Sequence, residues 1–211
     1  MPDLAHASRS IQRPPMPRRI AKPTRAEAEA AVRTLLAWSG DDPDRDGLQL
    51  TPQRVVDAYR DYFSGYDQDP VALLLDPAVD DAAGYDDIVL LRNSEVVSHC
   101  EHHISPFMGR ATLAYMPGDR LVGLSRLARV VDVLARRLQT QEALTAQIAS
   151  TLDEGLDPRG VAVLIEAEHQ CIAARGIRQR GLSAATTRFL GVFATDQALQ
   201  DRFLRLAGHP G

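Results

Sequence analysis

The chain is almost without lysine. Lys22 is the only one among 211 residues, and every other fixed positive charge is an arginine. Arginine must therefore serve wherever a cation is needed. Cysteine is nearly as scarce, with Cys100 and Cys171 alone. Two thiols are too few for a disulfide scaffold, and no secretory-type segment points to an oxidising compartment that would join them. No apolar run is long enough to span a membrane. An excess of positive charge is also missing, since the net charge is −4. That removes the general case for nucleic-acid binding, so any phosphate recognition must come from locally placed arginines. The N-terminal stretch carries Arg9, Arg13, Arg18, Arg19 and Lys22 without the apolar core of a signal peptide. Pro14, Pro15, Pro17 and Pro23 point to a flexible tail over 1–22 rather than a transit peptide. These absences together lead us to expect a cytoplasmic protein with no membrane and no nucleic-acid partner.

What is present is concentrated. Four of the six histidines and both cysteines fall in Ser98-His99-Cys100-Glu101-His102-His103 and Glu168-His169-Gln170-Cys171. Cys100 and His103 have C-x-x-H spacing, which one tight turn can wrap around an ion. Cys171 is the only other thiol that can join them. Three protein ligands with an open fourth position are the catalytic arrangement of zinc, in which bound water becomes the nucleophile; structural sites close with four ligands. The bland alternative is an ordinary buried cysteine pair. Against it stand the uncommitted imidazoles His99, His102 and His169, since a metal flanked by free imidazoles has an acid and a base already in place. On a strand, His169 and Cys171 would share a face. His99 is left out of the site, as a supporting neighbour or a bystander.

The chain organises around these clusters. Residues 23–69 read as an N-terminal helical segment and 70–211 as one α+β domain. A helix starts at Thr24, where Thr24 and Glu27 have capping-box spacing, with Ala28, Val32, Leu35 and Leu36 as its apolar face. A second starts at Thr51-Pro52 and ends by Gly65. Pro70 to Tyr85 reads as a connection. Ile88–Val97, Arg110–Met116, Val161–Ala167 and Thr186–Ala194 read as strands. Between the second and third, apolar spacing from Leu127 to Leu138 and from Leu144 to Leu152 marks two helices. Leu199, Phe203, Leu204 and Leu206 suggest a closing helix. The two clusters thus sit at the ends of non-adjacent strands, and a shared ion would pin the sheet across the helical excursion.

Several motifs in this order resemble GTP cyclohydrolase I. They are Cys100-Glu101-His102-His103 with Pro106-Phe107 and Gly109, then Gly123-Leu124-Ser125-Arg126-Leu127-Ala128-Arg129, then Arg136-Arg137-Leu138-Gln139-Thr140-Gln141-Glu142. His169-Gln170-Cys171 with Arg175-Gly176-Ile177 completes them, and the resemblance runs from about 24 to 207. It implies a tunnelling fold, an antiparallel sheet with two layered helices, assembled as a toroidal homo-oligomer, typically a decamer, with sites between subunits. It implies hydrolysis and rearrangement of GTP to 7,8-dihydroneopterin triphosphate with release of formate, the entry to tetrahydrofolate and related pterins.

By that resemblance, Cys100, His103 and Cys171 hold zinc, and His102 and His169 move protons. Glu142 accepts from the N–H edge of guanine, with Gln141 beside it, as a carboxylate suits that donor pair. Ser125, Arg126, Arg129 and Arg175 bind the triphosphate. Arg126 stands where the family usually has lysine, and its fork is more demanding in geometry than a point charge. Two other readings compete. Pterin-handling relatives of the same fold generally lack the Cys/His/Cys set. A non-catalytic, metal-stabilised binding protein would leave both proton-moving histidines and Glu142 without a role.

Overall fold

The structure, a computed structural model, describes residues 21–75 and 80–209. The tail expected over 1–22 lies outside them, apart from Ala21 and Lys22. Contacts divide the chain at Asp57/Ala58 into two compact units.

In the first unit, α1 (Arg25–Trp38) starts as its sequence signals. The Thr24 hydroxyl accepts from the Glu27 N–H, and the Glu27 carboxylate accepts from the Thr24 N–H at 2.7 Å. The helix buries none of its residues fully; Leu35 and Trp38 are 62% and 85% exposed. Charge pairs dominate this unit. Arg25 bridges Glu29 and Asp57, Arg33 meets Asp44, and Arg45 meets Asp41. α2 (Thr51–Tyr62) begins here, with Pro52 in its first turn, where a missing N–H costs nothing.

The second unit contains the sheet. After a 3-10 turn at Ser64–Asp67 comes α3 (Pro70–Leu75), within the stretch read above as a connection. The Asp69 carboxylate accepts from the N–H groups of Val71 and Ala72, and Pro70 follows at the first helical position. These start signals are legible in the sequence, but the helix is too short to show periodicity. β1 (Asp80–Asp81) pairs with β4 (Arg120–Leu121) in a small two-stranded ladder. The main sheet has five strands: β2 (Val89–Cys100), β3 (Ser105–Met116), β5 (Leu138–Gln139), β6 (Gly160–His169) and β7 (Ser183–Gly191). Their order is β5-β2-β3-β6-β7, antiparallel throughout except for the β2–β5 pair.

Two helices follow the β3–β4 region, α4 (Leu124–Ala135) and α5 (Gln141–Leu156). Leu138, counted above in the helical repeat, instead lies on β5, since α4 stops at Ala135. Alternation along β3 and β6 sorts the core. Leu113, Tyr115, Val161, Val163 and Ile165 pack towards Leu127, Val130, Leu134, Leu144 and Ile148 of α4 and α5. The intervening Ala114, Met116, Ala162 and Leu164 pack with Phe193 of a helical turn α7 (Val192–Thr195) and Phe203 of α8 (Gln197–Ala207). Burial on both faces explains why β6 reads as a continuous apolar run. The expected strand to Ala194 ends early at Gly191, whose φ is 57° and whose added Cβ would lie 2.2 Å from the Arg159 carbonyl oxygen. The observed architecture is thus an antiparallel-dominated sheet with two helices layered on one face, as the resemblance implied. No helix of the described residues is long and apolar enough to cross a membrane.

Candidate functional site

β2 ends at Cys100 and β3 starts at Ser105, so the first cluster runs from the end of β2 into the hairpin turn between them. The Cys100 carbonyl accepts from the N–H groups of His103 (3.3 Å) and Ile104 (2.8 Å). These bonds curl the C-x-x-H segment so that both its ends face one point. Closure forces Ile104 to φ 52°, unusual for a β-branched residue.

β6 delivers the second cluster, though not as a continuous strand. The strand stops at His169, and Cys171 lies in a helical turn, α6 (Gln170–Ala173). The shared strand face expected for His169 and Cys171 is therefore corrected: the chain turns between them. The turn brings Cys171 to the first cluster. The ligand atoms of Cys100, His103 and Cys171 all lie within 4.8 Å of one another, and both cysteines are free thiols. Around a tetrahedral zinc, bond lengths of about 2.0–2.3 Å put ligand atoms roughly 3.5–3.8 Å apart. A small contraction by side-chain rotation meets that requirement, so the donor set fits the ion. Burial pushes the Cys171 thiol up, the neighbouring Cys100 adds to the rise, and Arg175 works against it.

The imidazoles differ in surroundings. His102 is exposed, with Nδ1 3.6 Å from the Cys100 sulfur and Nε2 3.9 Å from Glu101. His169 stacks on Phe107, its partner across the β3–β6 ladder, at 4.7 Å and 10° between ring planes. Its Nε2 lies 2.8 Å from Oε1 of Gln141, at the start of α5. Burial lowers the His169 pKa, and the Glu142 carboxylate opposes that shift, so Glu142 is within electrostatic reach. His99 is 6% exposed and packs against Tyr62 and Phe63 at 4.7 and 5.2 Å. Spacing gave no sign that Phe107 would stack on His169; only the strand register could have pointed to it.

Ser125, Arg126 and Arg129 lie in the first turns of α4. Arg126 Nη1 is enclosed and has no hydrogen-bond partner among the described residues. Among those residues, no hydrogen bond or ion pair ties these three side chains to the thiol–imidazole cluster. Arg175 and Glu142 are exposed.

Fold and site define a class: an α+β protein gathering a metal-competent, three-donor group and further imidazoles at one end of its sheet. A family model described as GTP cyclohydrolase I matches residues 28–208. The chain is 55% identical over 194 residues to GTP cyclohydrolase 1 of Hyphomonas neptunium, covering 92% of this chain and 94% of that one. It is 55% identical over 185 residues to GTP cyclohydrolase 1 of Maricaulis maris, covering 88% and 90%. The chain belongs to the GTP cyclohydrolase I family of enzymes. Among solved structures it is similar to a dihydroneopterin aldolase of Burkholderia thailendensis bound to guanine, at 18% identity and TM-score 0.36, covering 55% of this chain and 96% of that one.

Proposed function

We propose that the protein hydrolyses and rearranges GTP to 7,8-dihydroneopterin triphosphate with release of formate, using zinc held by Cys100, His103 and Cys171. The observation that carries this reading is the convergence of those three donors within 4.8 Å in a chain of this family. When bound, zinc would bring the pKa of a water down towards about 7 and make it a nucleophile at neutral pH.

The chain's own residues supply the rest. The reaction protonates the purine, opens its five-membered ring, rearranges the ribose and closes a new ring, so protons must be delivered and removed repeatedly. His102 and His169 take that role, since imidazole exchanges protons near neutral pH. Glu142 accepts from the N–H groups of guanine; its electrostatic reach to His169 supports a base held beside the proton carrier. Ser125, Arg126, Arg129 and Arg175 bind the triphosphate. The unpartnered, enclosed Nη1 of Arg126 supports this, because a phosphate oxygen would satisfy it. The start of α4 adds backbone N–H donors beside Ser125. The assembly proposed is a homo-oligomer, a toroidal decamer, whose sites draw on neighbouring subunits.

Incubation of the purified, zinc-loaded protein with GTP should yield formate and, after oxidation, a fluorescent pterin. Absence of both with zinc bound and the oligomer intact would overturn the proposal. Cys171→Ala should lose metal and turnover together.

A further inference from the structure

Gln141 is 1% exposed, and its amide is committed at both ends. Nε2 donates to the carbonyl oxygens of Ile165 (3.0 Å) and Ala184 (2.9 Å) and lies 3.1 Å from Thr186 Oγ1. Two main-chain carbonyls can only accept, so the NH2 end must face them. Reversing the amide would set Oε1 against both carbonyls. The hydroxyls behind it are ordered in turn. Thr145 donates to the Gln141 carbonyl at 2.8 Å, which leaves Thr186 to donate to Thr145 at 2.7 Å. The two N–H groups of the amide are taken by the two carbonyls, so the Thr186 oxygen is a neighbour of Nε2 and not a third full acceptor.

With the amide fixed, Oε1 is an acceptor, and it sits 2.8 Å from His169 Nε2. That nitrogen must therefore carry a hydrogen. Stacking on Phe107 holds the ring plane. His169 Nδ1 engages no described residue, and it is not enclosed: the enclosed, unpartnered side-chain atoms among the described residues are His99 Nδ1 and Arg126 Nη1. Nδ1 thus faces accessible space.

We infer that Gln141 is a positioning residue that fixes the ring orientation and tautomer of His169, holding Nε2–H on its amide oxygen and turning Nδ1 to accessible space, where a substrate would meet it. This rests on the proposed role of His169 in turnover. It differs from the substrate contact that the family resemblance implies for Gln141, because no polar atom of that amide is exposed or uncommitted. The amide accepts from Nε2–H whether Nδ1 is bare or protonated, so the ring keeps its orientation through each transfer.

The test uses full-length, zinc-loaded protein with 15N-labelled histidine, the His169 signals being assigned by their absence in His169→Ala. Wild type should show a protonated Nε2 and an unprotonated Nδ1; the opposite tautomer, or a mixture, would overturn the inference. Gln141→Leu should give mixed tautomers and cut kcat by about 10- to 100-fold, the scale of a misplaced acid–base group, with little change in KM for GTP. A raised KM with kcat intact would instead show a substrate contact and sink the positioning role. Gln141→Met, which removes the amide with less change of side-chain shape, should give the same tautomer mixture and serves if Gln141→Leu does not fold. A wild-type protein with the expected tautomer but no product from GTP would overturn the proposed function, while the positioning of His169 by Gln141 stood.

Discussion

Ile104 shows what the first cluster demands of its backbone. A β-branched residue at φ 52° costs on the order of 1–3 kcal/mol, and such strain persists only where surrounding contacts impose it. Here the two N–H groups converging on the Cys100 carbonyl impose it, and the product is a C-x-x-H segment curled tightly enough to point at Cys171. Under the proposed function the neighbouring side chains divide into donors and proton carriers, and single substitutions separate them. His169→Ala leaves Cys100, His103 and Cys171 untouched. It should keep its metal by elemental analysis while kcat falls by about 10²- to 10⁴-fold, the range for loss of one acid–base group. Near-normal turnover in that variant would remove His169 from the chemistry. Glu142→Ala, at an exposed carboxylate, should raise KM for GTP well before it alters folding. An unchanged dependence on GTP concentration would count against a guanine contact.

At the scale of elements, α5 is well built at the site end and poorly built at the other. Thr140 caps its N-terminus by accepting from the Ala143 N–H, which places Gln141 and Glu142 in the first turn. Its last turn carries Asp153 and Glu154, with Asp157 as cap and no basic residue, so acidic groups meet the negative end of the helix dipole. Burial raises the Asp153 pKa above its ordinary 3.8, with Asp157 adding to the rise. A carboxyl whose folded pKa is raised is charged at neutral pH at the expense of the native state. That penalty fades as pH falls through the folded pKa and is gone below the unfolded one. Asp153→Asn should therefore stabilise the protein by about 0.5 kcal/mol at pH 7, from the dipole alone. The gain should shrink between pH 7 and pH 4 in urea melts; an equal gain at both would refute the electrostatic cause.

Elements also decide what the sequence could disclose. α4 and α5 are long and periodic and β6 is a long apolar run, and the structure has each there, although α4 stops short of Leu138. α3, β5 and α6 have six, two and four residues, too few to establish a period, and each was absorbed into a neighbour or a loop. For the site, clustering and C-x-x-H spacing singled out Cys100, His103 and Cys171, because scarce ligands close in sequence leave few combinations. The surroundings of His169 were not legible. They depend on the register that sets Phe107 opposite His169 and on which face of α5 turns inward. Gln141 and Glu142 are adjacent and both polar, yet one is buried and the other exposed, and only packing separates them.

At the scale of the whole molecule, the donor group ties distant parts of the second unit together. Between His103 and Cys171 the chain passes through β3, β4, α4, β5, α5 and β6 before it returns. A ligand that binds only the folded arrangement stabilises it by mass action, about 2.7 kcal/mol when free metal is a hundred times its Kd. For a chain of this size each kcal/mol moves Tm by about 2–4 °C, so stripping the metal should lower the melting temperature by roughly 5–10 °C. Zinc should restore it, and the titration should follow occupancy. Melts need a single protein concentration, since subunit association would shift Tm as well. Cys171→Ala supplies the control: it should melt near the chelated wild type and show no response to chelator, because the strand groups are no longer joined. If the wild type lost its metal by elemental analysis yet melted unchanged, the ion would be a catalytic accessory on a sheet already closed by its core. The bridge across the helical excursion would then contribute nothing to stability.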